Sequence, residues 1–544
     1  MTARAVMVLG TSSHAGKSLL TAALCRIFAQ QGHRVAPFKS QNMSLNSAAT
    51  IEGLEIGRAQ ALQAEAAGIA PSVHMNPVLL KPAGKMASQV IVRGKIWGRL
   101  SAAEYHQRRV EELLPLVQES YRKLAAENDV IVLEGAGSPA EINLKQHDIV
   151  NMRMAEMANA SCLLVGDIDR GGVFASLLGT VELLEPEERA RICGFVINKF
   201  RGDVSLLAPG IREMEDRIKK PCLGIVPYLE HLSLDEEDSL GLPGFGSPAA
   251  DSVHETLWSF ASAGTSAFRP LRVAVIAFPS LSNFTDFDAL RSEPSVAVRF
   301  CQKPEQLRGA DVVILPGSKQ TVDDLLWMRT EGLDKAVIEH AQTKTGLITG
   351  ICGGMQMLGQ MILDPEGIEG PESMQGLCLL AINTTMRGAK ITVPGKGVLV
   401  AKSLFGQPME NIPLSGYEIH VGETSYVGSA QPFAQLVRQT REPQESVLDG
   451  CVGADSRIFG TYLHGLFDGD DFRHAFIDAA RKFCHLAPAT ELRDWGLKRQ
   501  ESIDRLASAV SESLDLPRIF EWVGLRYQSS PVRGKSRGVL EEVG

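Results

Sequence analysis

Two glycine-hinged elbows, each closing a short apolar run, constrain this chain more than any other feature. Residues 10–18 read G-T-S-S-H-A-G-K-S; they follow the apolar run 5–9 and precede the amphipathic stretch 19–31. Residues 350–354 read G-I-C-G-G; they follow the run 346–349 and precede a helical stretch from Met355. A strand that turns through glycine straight into a helix is the building step of a parallel sheet with helices on both faces. Two such steps predict an α/β protein of two doubly wound domains, and 544 residues are too many for one core.

The first domain is expected over 1–230, with buried parallel strands at 5–9, 130–133, 162–165 and 194–197 and helices at 19–31 and 102–126. Residues 231–270 carry an acidic run at 235–238 and then glycines, prolines and small residues, so they read as a linker. The second domain is expected over 271–485. Its strands begin at 273–278, 312–315 and 346–349, and its later stretches 397–401 and 420–426 are richer in β pattern. Residues 486–544 read as a C-terminal helical segment, amphipathic over 502–514, with a frayed tail from about 528.

A net charge of −9 argues against non-specific nucleic-acid binding, which prefers a basic face. The nine dispersed cysteines form no metal spacing or disulfide framework, and no apolar run is long enough to span a membrane. The expected setting is therefore the reducing cytoplasm, with small-molecule partners and neither membrane nor nucleic acid.

In the first elbow, backbone N–H groups from Gly10, Thr11 and Gly16 would cradle phosphate at a helix N-terminus. Lys17 would reach the β- and γ-phosphates, and the Ser18 hydroxyl would bind Mg²⁺. Five residues, not four, separate Gly10 from Gly16. In the second elbow, Cys352 sits between glycines at a helix N-terminus, whose dipole favours a thiolate. His464, in G-T-Y-L-H-G, is the candidate proton shuttle, and N–H groups near Gly353 and from the loop Pro316, Gly317, Ser318 could hold an oxyanion. A nucleotide loop and an amide-cleaving nucleophile on one chain point to ATP-driven transfer of ammonia from glutamine to a carboxylate.

The five-residue loop resembles that of dethiobiotin synthetase and its relatives. That resemblance implies a lysine near the transferred phosphate at Lys39, a Mg²⁺-binding glutamate at Glu134 and an adenine-reading asparagine at Asn198. It implies a further metal ligand soon after the lysine, but residues 40–50 contain no acid. Asp167 and Asp169, in G-D-I-D-R-G-G, are open between metal or substrate binding and simple turn formation. Residues 271–480 resemble class I glutamine amidotransferases, which usually carry a glutamate two residues after the histidine. Here that residue is Leu466, so the triad acid is missing or comes from elsewhere. Glu418 and His420 are candidates for support, or are polar residues of a strand.

The order of the two halves resembles the cobalamin-pathway amide ligases, the cobyric acid synthase and cobyrinic acid a,c-diamide synthase group. The stretch F-K-S-Q-N-M-S-L-N-S at 38–47 looks like the signature of the former. The resemblance implies ATP- and glutamine-dependent amidation of the b, d, e and g carboxylates of adenosylcobyrinic acid a,c-diamide through acyl phosphates, with ATP and Mg²⁺ as cofactors. The alternative is a,c-diamide synthesis or amidation of a related polyacid.

Overall fold

The computed structural model of the chain describes residues 3–83, 87–230, 232–234, 258, 268–343, 345–370, 372–439 and 445–528. The acidic run 235–238, most of the expected linker and the tail from 529 lie outside the described residues. Contacts divide the chain into two compact units that do not follow chain order. One comprises 1–37, 124–229 and 506–544, and the other 38–123 and 230–505.

The first unit is built on a six-stranded sheet. From edge to edge it runs Cys222–Pro227, Ile192–Phe200, Ser161–Asp167, Arg4–Gly10, Val130–Glu134 and Val35–Phe38. The first five strands pair in parallel. Their apolar runs are buried along almost their whole length, as expected where helices cover both faces. The helix Lys17–Gln30 buries Leu20, Leu24, Ile27 and Phe28, a stripe of helical period. Far along the chain, the helix Leu516–Trp522 is capped by Asp515, whose side chain accepts the Arg518 N–H, and its Phe520 packs 4.5 Å from Phe28 between ring centroids. Register places Val8 opposite Glu134, Gly10 opposite Val165 and Asp167 opposite Asn198. The phosphate-type loop, Glu134, Asp167 and Asn198 therefore gather at the carboxyl ends of the parallel strands, where open α/β sheets bind ligands.

The second unit holds another six-stranded sheet, in the order Val296–Cys301, Leu271–Ile276, Val312–Leu315, Leu347–Ile351, Ile458–Thr461 and Cys451–Val452. All neighbours are parallel except the last pair. The β-rich stretches belong to one long antiparallel ladder, Ile382–Leu399 against Pro413–Tyr426, whose register breaks between Thr385 and Lys390.

Residues 38–123 add a small sheet of Gln41–Met43, Val78–Ala83, Ala87–Val92 and Lys95–Ser101, and a short pair of Ser47–Ala49 with Glu55–Gly57. Many of its buried polar groups pair within the segment, as Asn42 with Gln60 and Ser47 with Glu55, and residues 230–505 supply further partners. The Ser47 N–H donates to Asn283 Oδ1 at 3.0 Å, Arg58 bonds the Tyr417 hydroxyl, and Glu55 pairs with Lys390. The helix expected over 102–126 is interrupted: Ala102–Arg108 and Leu114–Glu127 are joined by a π turn, Arg109–Leu113. Pro115 lacks the N–H an unbroken α-helix would use there.

Candidate functional site

In the first unit the loop is held from both sides. Gly16 has φ +95°, a left-handed conformation, and a β-carbon there would lie 2.1 Å from Asn198 Nδ2. Only glycine meets both demands. Asn198 Nδ2 donates to the Ala15 carbonyl at 2.9 Å, and Lys199 Nζ donates to the His14 carbonyl at 2.7 Å. The Thr11 N–H donates to Val165 O at 2.9 Å, which ties the loop's first turn to the sheet. Lys17 is buried and spans the loop mouth, with Nζ 2.8 Å from Ser12 O and 3.1 Å from Gly137 O.

Ser18 Oγ donates to Glu134 Oε1 at 2.8 Å. Two oxygens so placed suit Mg²⁺, which takes one or two protein oxygens and completes its octahedron with water and phosphate oxygens. Among the described residues no group of three or more His, Cys, Asp or Glu could hold a metal. Asp167 and Asp169 are tied into the turn: the Asp169 N–H donates to Asp167 Oδ1, Lys199 pairs with Asp167 at 2.8 Å, and Arg201 with Asp169 at 3.2 Å. Lys39 belongs to the other unit, where it is buried, its N–H on Met75 O.

In the second unit Cys352 is the hinge between the strand Leu347–Ile351 and the helix Gly353–Leu358. Its backbone stands at φ 52°, ψ −112°, a strained position for a non-glycine residue, and its N–H donates to Thr461 O at 2.8 Å. A β-carbon on Gly354 would lie 1.9 Å from Leu315 O, so the helix start presses directly on the neighbouring strand. The loop Pro316, Gly317, Ser318 is braced by Asp324, which accepts the Ser318 hydroxyl at 2.5 Å and the Ser280 N–H at 3.2 Å. His464 stands against this loop: a β-carbon on Gly317 would be 2.8 Å from His464 Cε1.

The acid that the sequence left unassigned is Asp286. Its Oδ2 lies 2.7 Å from His464 Nδ1 and its Oδ1 accepts the Gly465 N–H at 2.9 Å, with both side chains buried. Tyr417 stacks on the imidazole at 5.5 Å between centroids and 19° between planes. Burial opposes charge on His464, but Asp286 and Cys352 outweigh it and push the imidazole up to about 10. The site thus favours an imidazolium beside the sulfur.

Glu418 and His420 do not reach His464 Nδ1. Glu418 forms a two-pronged pair with Arg438 at 2.7 and 2.8 Å. Burial would raise the Glu418 carboxyl, but Arg438 and His420 hold it down at about 2. His420 stacks on Tyr462 at 3.6 Å and bonds Gly422 O through Nδ1. Sequence reasoning missed Asp286 because 178 positions separate it from His464. Its one local signal is an acid flanked by phenylalanines, in N-F-T-D-F, a stretch that is otherwise buried. Lys199 and Asn151 were missed in the same way; Asn151 clips the turn after Glu134 by bonding both the N–H and the carbonyl of Ala136.

Residues 272–472 match the CobB/CobQ-like glutamine amidotransferase domain, and residues 6–241 match the CobQ/CobB/MinD/ParA nucleotide binding domain. A cobyric acid synthase from Thermoanaerobacter sp. (strain X514) is 47% identical over 95% of this chain and 98% of its own length. One from Moorella thermoacetica is 46% identical over 96% of this chain and 98% of its own. One from Sorangium cellulosum is 48% identical over 96% and 99% respectively.

Proposed function

The chain belongs to the cobyric acid synthase family of glutamine-dependent ligases, and from that premise we propose that it amidates the b, d, e and g carboxylates of adenosylcobyrinic acid a,c-diamide through acyl phosphates. The observation that carries the reading is the joint presence of a Cys352–His464–Asp286 constellation and a Lys17/Ser18–Glu134 phosphate loop.

At the first centre, Cys352 Sγ attacks the glutamine amide carbon. The oxyanion is held by N–H groups at Gly353 and in the 316–318 loop. His464, protonated and oriented by Asp286, gives its proton to the departing nitrogen, and ammonia leaves as the C–N bond breaks. Water then attacks the thioester, His464 takes its proton, and glutamate is released.

At the second centre a substrate carboxylate oxygen attacks the γ-phosphorus of ATP. An O–P bond forms as the bond to ADP breaks. Lys17 is proposed to neutralise the charge on the transferred group, and Asn198 to read the adenine edge while fixing Ala15. Bound at Ser18 and Glu134, Mg²⁺ would supply further charge neutralisation on the phosphates. Ammonia attacks the acyl carbon, the C–N bond forms, and phosphate leaves.

Mass spectrometry of the corrinoid incubated with protein, Mg²⁺, ATP and glutamine tests this. Stepwise gain of four amides is expected. No change in this a,c-diamide, with amidation at a and c when cobyrinic acid is supplied instead, or turnover of only a different polyacid, would replace the reading with the neighbouring ligase activity. We place the protein's work in the cytoplasm, and among the described residues no helix is long and apolar enough to cross a membrane.

A further inference from the structure

Three groups bound the His464 imidazole, and each is itself held. Asp286 meets its Nδ1 edge and is fixed by the Gly465 N–H. The 316–318 loop meets its Cε1 side and is braced by Asp324. Tyr417 covers one face, 5.5 Å away between centroids. What holds Tyr417 comes from outside the amidotransferase domain. Arg58 donates to its hydroxyl, with the guanidinium carbon 5.2 Å from the ring centroid. Tyr417 pairs with His464 across the ladder, and a β-carbon on Gly416 would lie 2.1 Å from the His464 carbonyl, so the two backbones press together. That pairing brings the tyrosine beside the histidine but does not set the tilt of its ring. The last torsion of a tyrosine is broad, and a hydrogen bond at the far end of the ring narrows it.

Arg58 opens the helix Arg58–Ala67, and the stretch 38–47 fixes where that helix starts. The Arg58 N–H donates to Asn46 O at 3.2 Å. The Gly57 N–H donates to Asn76 Oδ1 at 3.3 Å, and Asn76 Nδ2 donates to the Lys39 carbonyl at 3.1 Å. A β-carbon on Gly57 would meet Gln60 Oε1 at 2.6 Å and Asn42 Nδ2 at 2.9 Å, so the turn into the helix has no room for a side chain. Ser47 carries the same stretch to the other side of the imidazole. Its N–H donates to Asn283 Oδ1, and Asn283 O accepts the Asp286 N–H at 3.0 Å. The most distinctive stretch of the sequence thus stands behind both Tyr417 and Asp286, and the chemistry described above gives it no task.

We propose that Arg58 is a positioning residue for glutamine hydrolysis: through the Tyr417 hydroxyl it fixes the ring that sets the plane of His464, so the hydrolytic centre is complete only with the 38–58 segment seated. The proposal rests on the reading of Cys352, His464 and Asp286 as a glutaminase, and not on the identity of the carboxylate that is amidated.

The test uses the full chain with glutamine, ATP, Mg²⁺ and the corrinoid, and reads glutamate release and amide gain separately. Arg58→Met keeps the aliphatic stem and removes the donors; Tyr417→Phe keeps the ring and removes the hydroxyl. Each should lower kcat for glutamate release roughly fivefold or more while KM for glutamine stays within about twofold, because a ring out of line slows proton transfer without altering what binds glutamine. Amidation from added ammonia should stay within about twofold in both, which also shows that the variants fold. The double variant should fall no further than the lower single variant, since both remove the same contact. Arg58→Lys, which keeps a donor, should recover to within about threefold of wild type. Unchanged glutamate release in both single variants overturns the proposal. So does an Arg58→Met loss that appears equally with ammonia, which would assign Arg58 to the amidated substrate. Losses that multiply in the double variant overturn it as well, because Arg58 would then act independently of Tyr417. A wild type whose glutamate release is absent, or survives Cys352→Ala, overturns the glutaminase reading and this proposal with it.

Discussion

Replacing Asp286 by Asn is the sharpest probe of the glutamine half. In the native site the two Asp286 oxygens accept from His464 Nδ1 and from the Gly465 N–H, at 2.7 and 2.9 Å. An Asn side chain has one acceptor oxygen. If that oxygen stays on Gly465, its NH₂ faces Nδ1, and the imidazole must then carry its proton on Nε2, where it cannot take one up. What is lost is a charge-assisted hydrogen bond, worth about 1.5–3 kcal/mol. At 1.36 kcal/mol per decade this is roughly a 10- to 150-fold fall in glutamine-dependent kcat. Amidation driven by added ammonia bypasses His464 and should stay within about twofold of wild type. The pH profile adds an independent readout. Asp286 helps hold His464 up at about 10, so in the variant the imidazolium is lost at lower pH and the alkaline limb of glutaminase activity moves down. Glutamine-dependent turnover within twofold of wild type, with an unmoved alkaline limb, would refute the assignment of Asp286 as the residue that orients His464.

Cys352→Ala should abolish glutamine-dependent amidation and leave the ammonia-dependent reaction; loss of both would make the cysteine structural. Lys17→Ala should stop amidation with either nitrogen source, measured as phosphate release and amide gain together. Gly16→Ala sets a β-carbon 2.1 Å from Asn198 Nδ2 at φ +95°, so ATP binding by calorimetry should be lost while the circular dichroism spectrum is kept. Asp449 is buried, accepts from the Thr461 hydroxyl and the Tyr462 N–H, and is pushed up to about 7 by burial. The native state therefore holds its proton while the unfolded chain releases it, and the stability this confers is lost as pH rises from about 4 through 7. Asp449→Asn removes that loss, so relative to wild type the variant should gain about 2–3 kcal/mol between pH 5 and 7.5 in urea unfolding, and a difference that does not vary with pH would contradict it.

What could be read from the sequence was whatever a local backbone demand dictates. The phosphate-type loop and the cysteine elbow were legible because each needs glycine at particular positions: Gly16 for its left-handed φ, Gly354 for its contact with Leu315 O. The buried parallel strands were legible because a run such as V-I-V-L-E is apolar on both faces. The long ladder Ile382–Leu399 was legible only in part, since Gly388, Pro394, Gly395 and Gly397 break its period-2 pattern. Pairings between distant segments were not legible. Nothing near Asp286 names His464 as its partner, and nothing near Ser47 names Asn283. The grouping of 38–123 with 230–505 is of the same kind: an alternating pattern identifies a strand but not the surface it will be packed against.

That division has a chemical consequence in the second unit. Lys81 and Glu55 come from the inserted segment, and Lys390 from the long ladder. A charge cluster assembled from segments this far apart cannot form until the unit has folded, and Glu55 pairs with a lysine from each at once. Removing Glu55 would therefore leave Lys81 and Lys390 buried side by side without a counter-charge, a change that costs about 3–5 kcal/mol where a buried pair is broken. Glu55 is the counter-charge that lets lysines from two separate segments be buried together.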